Sequence, residues 1–130
     1  MREEQLTHMV IGCAMQVHST LGQGFLEAVY ERALLHELHK QGIAAAAQQP
    51  IDVYYDGIVV GHFVADLLVP DRLIVELKAV QALNEAHETQ LVNYLMATGI
   101  EVGLLLNFGG ASLEFKRKFR IFQRTKLRQD

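Results

Sequence analysis

Two periodicities divide this chain. Over residues 4–20, Leu6, Met9, Val10, Cys13, Ala14 and Val17 recur at spacings of three and four, the stripe of an amphipathic helix. Leu21-Gly22-Gln23-Gly24 ends it, since glycine is the usual breaker past a helix C-terminus. A second helix is expected over about residues 25–41, stopped by Gly42, with Leu26, Val29, Tyr30, Ala33, Leu34 and Leu38 as its apolar stripe. The period then falls to two. Residues 48–55 read as a strand running into Asp56-Gly57, a strong hairpin signal, and residues 58–69 and 73–79 as two more strands. A third helix is expected over about residues 84–98, with Gly99 as terminator. Residues 101–107 form a short apolar run, as in a strand buried on both faces. Beyond Gly109-Gly110, Leu113, Phe115, Phe119 and Ile121 mark a last strand with basic alternate positions. The order is α-α-β-β-β-α-β-β, a single α/β domain over 1–130. The helix between the third and fourth strands is a crossover, so at least one parallel pair is expected, with helices covering the sheet.

The alternation around Pro70-Asp71-Arg72 singles out a set of polar residues. Phe63, Ala65, Leu67 and Val69 are expected on one face of the first strand, and Leu73, Val75, Leu77 and Ala79 on the matching face of the second. Asp66, Glu76 and Lys78 then share the other face. Keeping the apolar sets together needs a three-residue loop at 70–72, which sets Asp66 opposite Glu76; a two-residue loop would put the carboxylates on opposite faces. Two carboxylates and an ammonium on an otherwise apolar hairpin are costly to bury unless they bind something.

Composition places few further bounds. The 130 residues are half hydrophobic and about a fifth charged, enough for one core. No apolar run reaches the ~20 residues that cross a bilayer, so no membrane partner is expected. Met1-Arg2-Glu3-Glu4-Gln5 lacks the features of a signal peptide, and the lone Cys13 sits at an apolar helical position, so a cytoplasmic location is expected. One cysteine cannot build a soft-ligand zinc site. Charge is uneven: residues 116–130 carry seven Lys/Arg against Asp130, a net of +6, so the overall −3 leaves −9 on the rest of the chain. A basic end on an acidic body suits an anionic partner, and a solvated basic tail is the alternative. Of the histidines, His36 and His39 fall on a polar helix face; His87 precedes Gln90 by about a turn.

The Asp66…Glu76-Leu77-Lys78 strand pair resembles the defining motif of the PD-(D/E)XK nuclease superfamily, whose restriction-endonuclease-like core has the same order of elements. Gly24-Phe-Leu-Glu27-Ala-Val-Tyr30 fits the pattern that names the small GxxExxY proteins. Gln90-Leu-Val-Asn-Tyr94 resembles the Gln-x-x-x-Tyr motif of recombinational helicase–nucleases. The likeness spans nearly the whole chain. Ala65 departs from it, standing where the superfamily name has proline.

The resemblance implies a divalent-metal-dependent nuclease acting on nucleic acid, with DNA the preferred substrate. Mg²⁺, with Mn²⁺ as substitute, would be held by Asp66, Glu76 and the Leu77 backbone carbonyl, with Glu27 as a further ligand directly or through water. Lys78 would position or activate the attacking water, and Gln90 would orient Lys78 or the phosphate. Tyr30 and Tyr94 would buttress the site, and His18 would lie at its edge. Lys116, Lys118 and Arg120 alternate with Phe115, Arg117 and Phe119, so they would project from one face of the last strand toward nucleic acid. So small a domain would need a homodimer or a partner protein to grip a duplex. The alternatives are an ordinary cross-face ion pair at Glu76 and Lys78, and a nucleic-acid-binding or partner module that keeps the nuclease fold without turnover.

Overall fold

The structure, a computed structural model, describes residues 3–121. Three helices and five strands follow in the expected order: α1 (Glu4–Leu21), α2 (Glu27–Lys40), β1 (Ala46–Tyr55), β2 (Ile58–Val69), β3 (Leu73–Lys78), α3 (Glu85–Thr98), β4 (Val102–Asn107) and β5 (Glu114–Phe119). Helix α2 starts two residues later than its hydrophobicity suggests, because Leu26 is extended at the N-cap. Leu26 and Val29 are exposed, so the buried stripe of α2 is Tyr30, Leu34 and Leu38 alone. Helix α3 starts where a capping box fixes it. The Asn84 side chain accepts from the His87 N–H, and His87 Nδ1 accepts from the Asn84 N–H.

The strands form one mixed sheet in the order β1-β2-β3-β4-β5. β3 and β4 are parallel, joined through α3, and the other three pairs are antiparallel. The β2–β3 loop has the expected three residues: Val69 faces Leu73, the Arg72 N–H donates to the Val69 carbonyl over 3.0 Å, and Asp71 takes φ 64°. Aspartate is among the few non-glycine residues that tolerate this conformation.

Helices α1 and α2 pack on one face of the sheet against Leu67, Val69, Leu73, Val75, Leu77, Val102, Leu104 and Leu106. On the other face Leu91 and Leu95 of α3 pack against Ala65, Ile74 and Leu105. Each fully buried leucine contributes roughly 2 kcal/mol through loss of apolar surface from water. The expectation that Phe63, Ala65, Leu67 and Val69 share one face is corrected here. Phe63 stacks on Tyr94 of α3, with ring centroids 3.7 Å apart, and Ala65 belongs to the α3 core, whereas Leu67 and Val69 belong to the α1/α2 core. β1 reverses at the same level, with Ala47 on the α1/α2 side and Ile51 on the α3 side. Between them Gln48 takes φ 53°, and the residue pairing skips from Ala47–Leu67 to Gln49–Ala65. Asp66 sits at this break in the pleat.

Candidate active site

At the break, side chains replace the backbone ladder between β2 and β3. Their regular pairing stops at Leu67–Val75. One position further on, the Asp66 N–H donates to Glu76 Oε2 and the Leu77 N–H donates to Asp66 Oδ2, each over 2.8 Å. These two crossed bonds fix both carboxylates in the wedge where the strands part. The register is the one a three-residue loop requires, and Asp66 and Glu76 meet as the sequence predicts.

Two helices bring further groups. Glu27 is the first residue of α2 and accepts a hydrogen bond from the Ala79 N–H. Its place depends on the turn before it. Gly24 has φ 112°, which suits glycine, and the buried Tyr30 hydroxyl donates to the Gly22 carbonyl over 2.6 Å while accepting from the Phe25 N–H over 3.2 Å. Tyr30 also stacks on Phe108, at 4.7 Å between centroids. Tyr94 of α3 in turn stacks on Phe63 of β2. Gln90 is exposed on α3, one turn before Tyr94. His18 is buried, and its Nε2 lies 3.0 Å from the Gly110 carbonyl with its ring near Phe108, so it ties α1 to the loop after β4.

Two residues join the cluster that sequence reasoning missed. The Gln48 side-chain amide donates to Glu31 Oε1 over 2.6 Å and also hydrogen-bonds Asp66. Glu31 lies one helical turn after Glu27, and that i,i+4 spacing was the available signal.

The site is electrostatically unbalanced. Glu76 is only 4% exposed, and burial, reinforced by the negative charge of Asp66, pushes its carboxyl up to about 8. Burial also raises Asp66, against the pull of the Leu77 N–H, the Lys78 ammonium and Gln48. Glu27 and Glu31 are raised by desolvation first, with Asp66 adding to both. The Tyr94 hydroxyl is raised by burial, then by Glu76 and Asp66. Among the described residues, neither Asp66 nor Glu76 has a direct ion-pair partner. Nor do three His, Cys, Asp or Glu side chains converge to hold an ion unaided. Two adjoining carboxylates that no described cation contacts directly fit a hard divalent ion, which takes one or two carboxylates and keeps several waters.

Neighbouring basic residues of β5 reach opposite sides of the sheet. Lys118 reaches α3, with Nζ 2.9 Å from Glu88 Oε1, while Arg117 points the other way and donates to Thr7 of α1 over 3.1 Å. Lys116 and Arg120 are exposed. Arg124, Lys126 and Arg128 lie outside the described residues. No described helix is long and apolar enough to cross a membrane.

A family model described as the PD-(D/E)XK nuclease superfamily matches residues 4–118. No curated protein matches. Among solved structures, the crystal structure of SSO0001 superposes with a TM-score of 0.59 at 16% identity, covering 98% of this chain. The chain spans 64% of the length of that one. At such identity the likeness concerns the fold.

Proposed function

The chain belongs to the PD-(D/E)XK nuclease superfamily, and on that premise we propose that it is a divalent-metal-dependent nuclease of the GxxExxY branch, hydrolysing phosphodiester bonds of nucleic acid, with DNA as substrate. The observation that carries the proposal is the pair of crossed hydrogen bonds at Asp66 and Glu76. Such an arrangement gives up ladder bonds to hold two carboxylates together, which no structural role of either requires. The branch is suggested by the Gly24…Glu27…Tyr30 segment, in which the tyrosine pins the turn that delivers the glutamate.

Asp66, Glu76 and the Leu77 carbonyl would hold Mg²⁺ or Mn²⁺, with Glu27 reaching it through water. When bound, the ion supplies Lewis-acid neutralisation of the phosphate and lowers the pKa of its water. Lys78 holds a water for in-line attack and offsets negative charge as it develops on the phosphate. Gln90, exposed on α3, orients Lys78 or a phosphate oxygen. Gln48 and Glu31 keep the Asp66 carboxylate in register across the break in β2.

The test is metal-dependent nicking of plasmid and single-stranded DNA by the wild type, Asp66→Asn and Lys78→Ala. Wild-type cleavage should need Mg²⁺ or Mn²⁺. Asp66→Asn should lose both metal binding and cleavage. Lys78→Ala should bind metal normally and lose about 100-fold or more in rate, because its interaction is made chiefly in the transition state. Nucleic-acid binding by the wild type without cleavage in either metal would replace the enzyme with a binding module on the same fold.

A further inference from the structure

Helix α3 begins with a capping box whose third helical residue is unusual. Glutamate or glutamine commonly fills that place, since its side chain has only to accept from the N-cap N–H. Here His87 does so, with Nδ1 3.2 Å from the Asn84 nitrogen, while its own backbone N–H donates to Asn84 Oδ1 over 3.0 Å. A backbone N–H can only donate, so Nδ1 carries no proton and the ring's one N–H is on Nε2. The same bonds hold the ring against the start of the helix. Among the described residues nothing bonds Nε2, and His87 is only half-buried. Capping leaves a donor unused.

Position ties that donor to the acidic wedge. His87 and Tyr94 are seven residues apart, two turns along one helix face, with Gln90 between them. Tyr94 shows where this face lies. Its ring stacks on Phe63 of β2, and its hydroxyl is raised by burial and then by the charges of Glu76 and Asp66. Helix α3 returns from the end of β3 to the start of β4, so its first turn stands at the Lys78 end of the sheet. Glu27 is at that end as well, on the Ala79 N–H. Burial and Asp66 raise the Glu27 carboxyl, while Lys78, the Ala79 N–H and His87 draw it back. His87 and Lys78 thus act on one carboxylate from two different elements.

We propose that His87 is a further catalytic residue of this site, its Nε2–H donating to an oxygen of the scissile phosphate beside Lys78. The inference rests on the nuclease reading of the wedge. Four carboxylates gather there, Glu27, Glu31, Asp66 and Glu76, and each raises a barrier to an incoming phosphate. A donor held in place before the substrate arrives needs no reorganisation, and its bond strengthens as negative charge builds on the phosphate. A second ammonium would pair with a carboxylate of the wedge, whereas a neutral imidazole keeps its N–H for the substrate. Histidine also avoids the further carboxylate that glutamate, a usual capping residue, would add.

The experiment separates cap from contact. Asn84→Ala removes the side-chain cap but leaves the backbone N–H that holds Nδ1, so it should lower the urea midpoint and cleave at the wild-type rate. His87→Glu keeps both halves of the capping box, so its urea midpoint should match the wild type; lacking the donor, it should cleave about 100-fold slower or worse. His87→Ala adds no charge. It should lose about 100-fold in kcat while binding Mn²⁺, titrated calorimetrically without DNA, as the wild type does. Rates are read on plasmid and single-stranded DNA in Mg²⁺ and in Mn²⁺. A wild-type rate in His87→Ala overturns the inference, as does an equal loss in Asn84→Ala, which would make His87 a cap alone. Both of those outcomes leave the nuclease reading standing. A wild type that cleaves neither DNA in either metal overturns that reading, and this inference with it.

Discussion

At the scale of single residues, Glu76 governs how the metal-free protein responds to pH. Its pKa in the fold is about 8, against an ordinary 4.5, so the folded state holds the proton more tightly than the unfolded chain does. Below the ordinary value both states carry the proton and pH has no effect through this group. Between 4.5 and 8 the unfolded chain is ionised while the folded one is still protonated, so stability falls as pH rises and levels off above 8. Asp66, Glu27 and Glu31 are all raised and push the same way. For Glu76 taken alone the loss amounts to about 5 kcal/mol at most, a large share of a small domain's stability. Urea unfolding in chelator at pH 5 and pH 8 should show this loss, and Glu76→Gln should remove most of it. Divalent metal should restore wild-type stability at the higher pH by binding the folded state, but not that of Glu76→Gln. A slope unchanged in Glu76→Gln would place its origin elsewhere.

At the scale of elements, the C-terminal ends of β3 and β4, next to Lys78, are clamped together. Asn107 is fully buried, accepts from the Val80 and Gly109 N–H groups and donates to the Val80 carbonyl over 2.9 Å. Gly109 passes so close to β3 that a Cβ there would lie 2.1 Å from the Val80 carbonyl oxygen and 2.5 Å from its nitrogen. Backbone cannot yield as a flexible side chain can. Gly109→Ala should therefore cost ~2 kcal/mol or more, read as a lowered urea midpoint, whereas Gly12→Ala, which meets nothing within 4 Å, should not. Much of this architecture was legible in the sequence. Periodicity and glycine punctuation gave all eight elements, and the loop at Pro70–Arg72 gave the register that joins Asp66 to Glu76. The reversal of faces at Gln48 and Asp66 was not legible, because alternation rules assume an unbroken pleat and glutamine carries no signal for positive φ. Leu26 and Val29 misled for a related reason: helical spacing identifies a stripe but not how far along it the neighbouring sheet extends.

At the scale of the whole molecule, the distribution of charge decides how a polyanion would be met. The basic side of β5 adjoins α3, the helix that carries Gln90 and Tyr94, so a backbone tracking it would pass the acidic wedge. Lys116 and Arg120 are exposed, whereas Lys118 is already held by Glu88. That pair lies at the surface, where ion pairs hold only weakly, and phosphate competes with it on comparable terms. Lys118 also lowers the Glu88 carboxyl, with Lys116 adding to the effect, so both ammonium groups lie near that one anion. Neutralising Lys116, Lys118 and Arg120 to alanine should weaken binding of any duplex sequence and reduce the slope of log affinity against log salt by about 2–3. Glu88→Gln should act oppositely, releasing Lys118 and steepening the slope by up to ~1. Fluorescence anisotropy with one labelled duplex over a salt series measures both, in chelator so that no strand is cut. Unchanged slopes in the triple alanine variant would mean that β5 is a solvated edge and that nucleic acid reaches the acidic wedge by another surface.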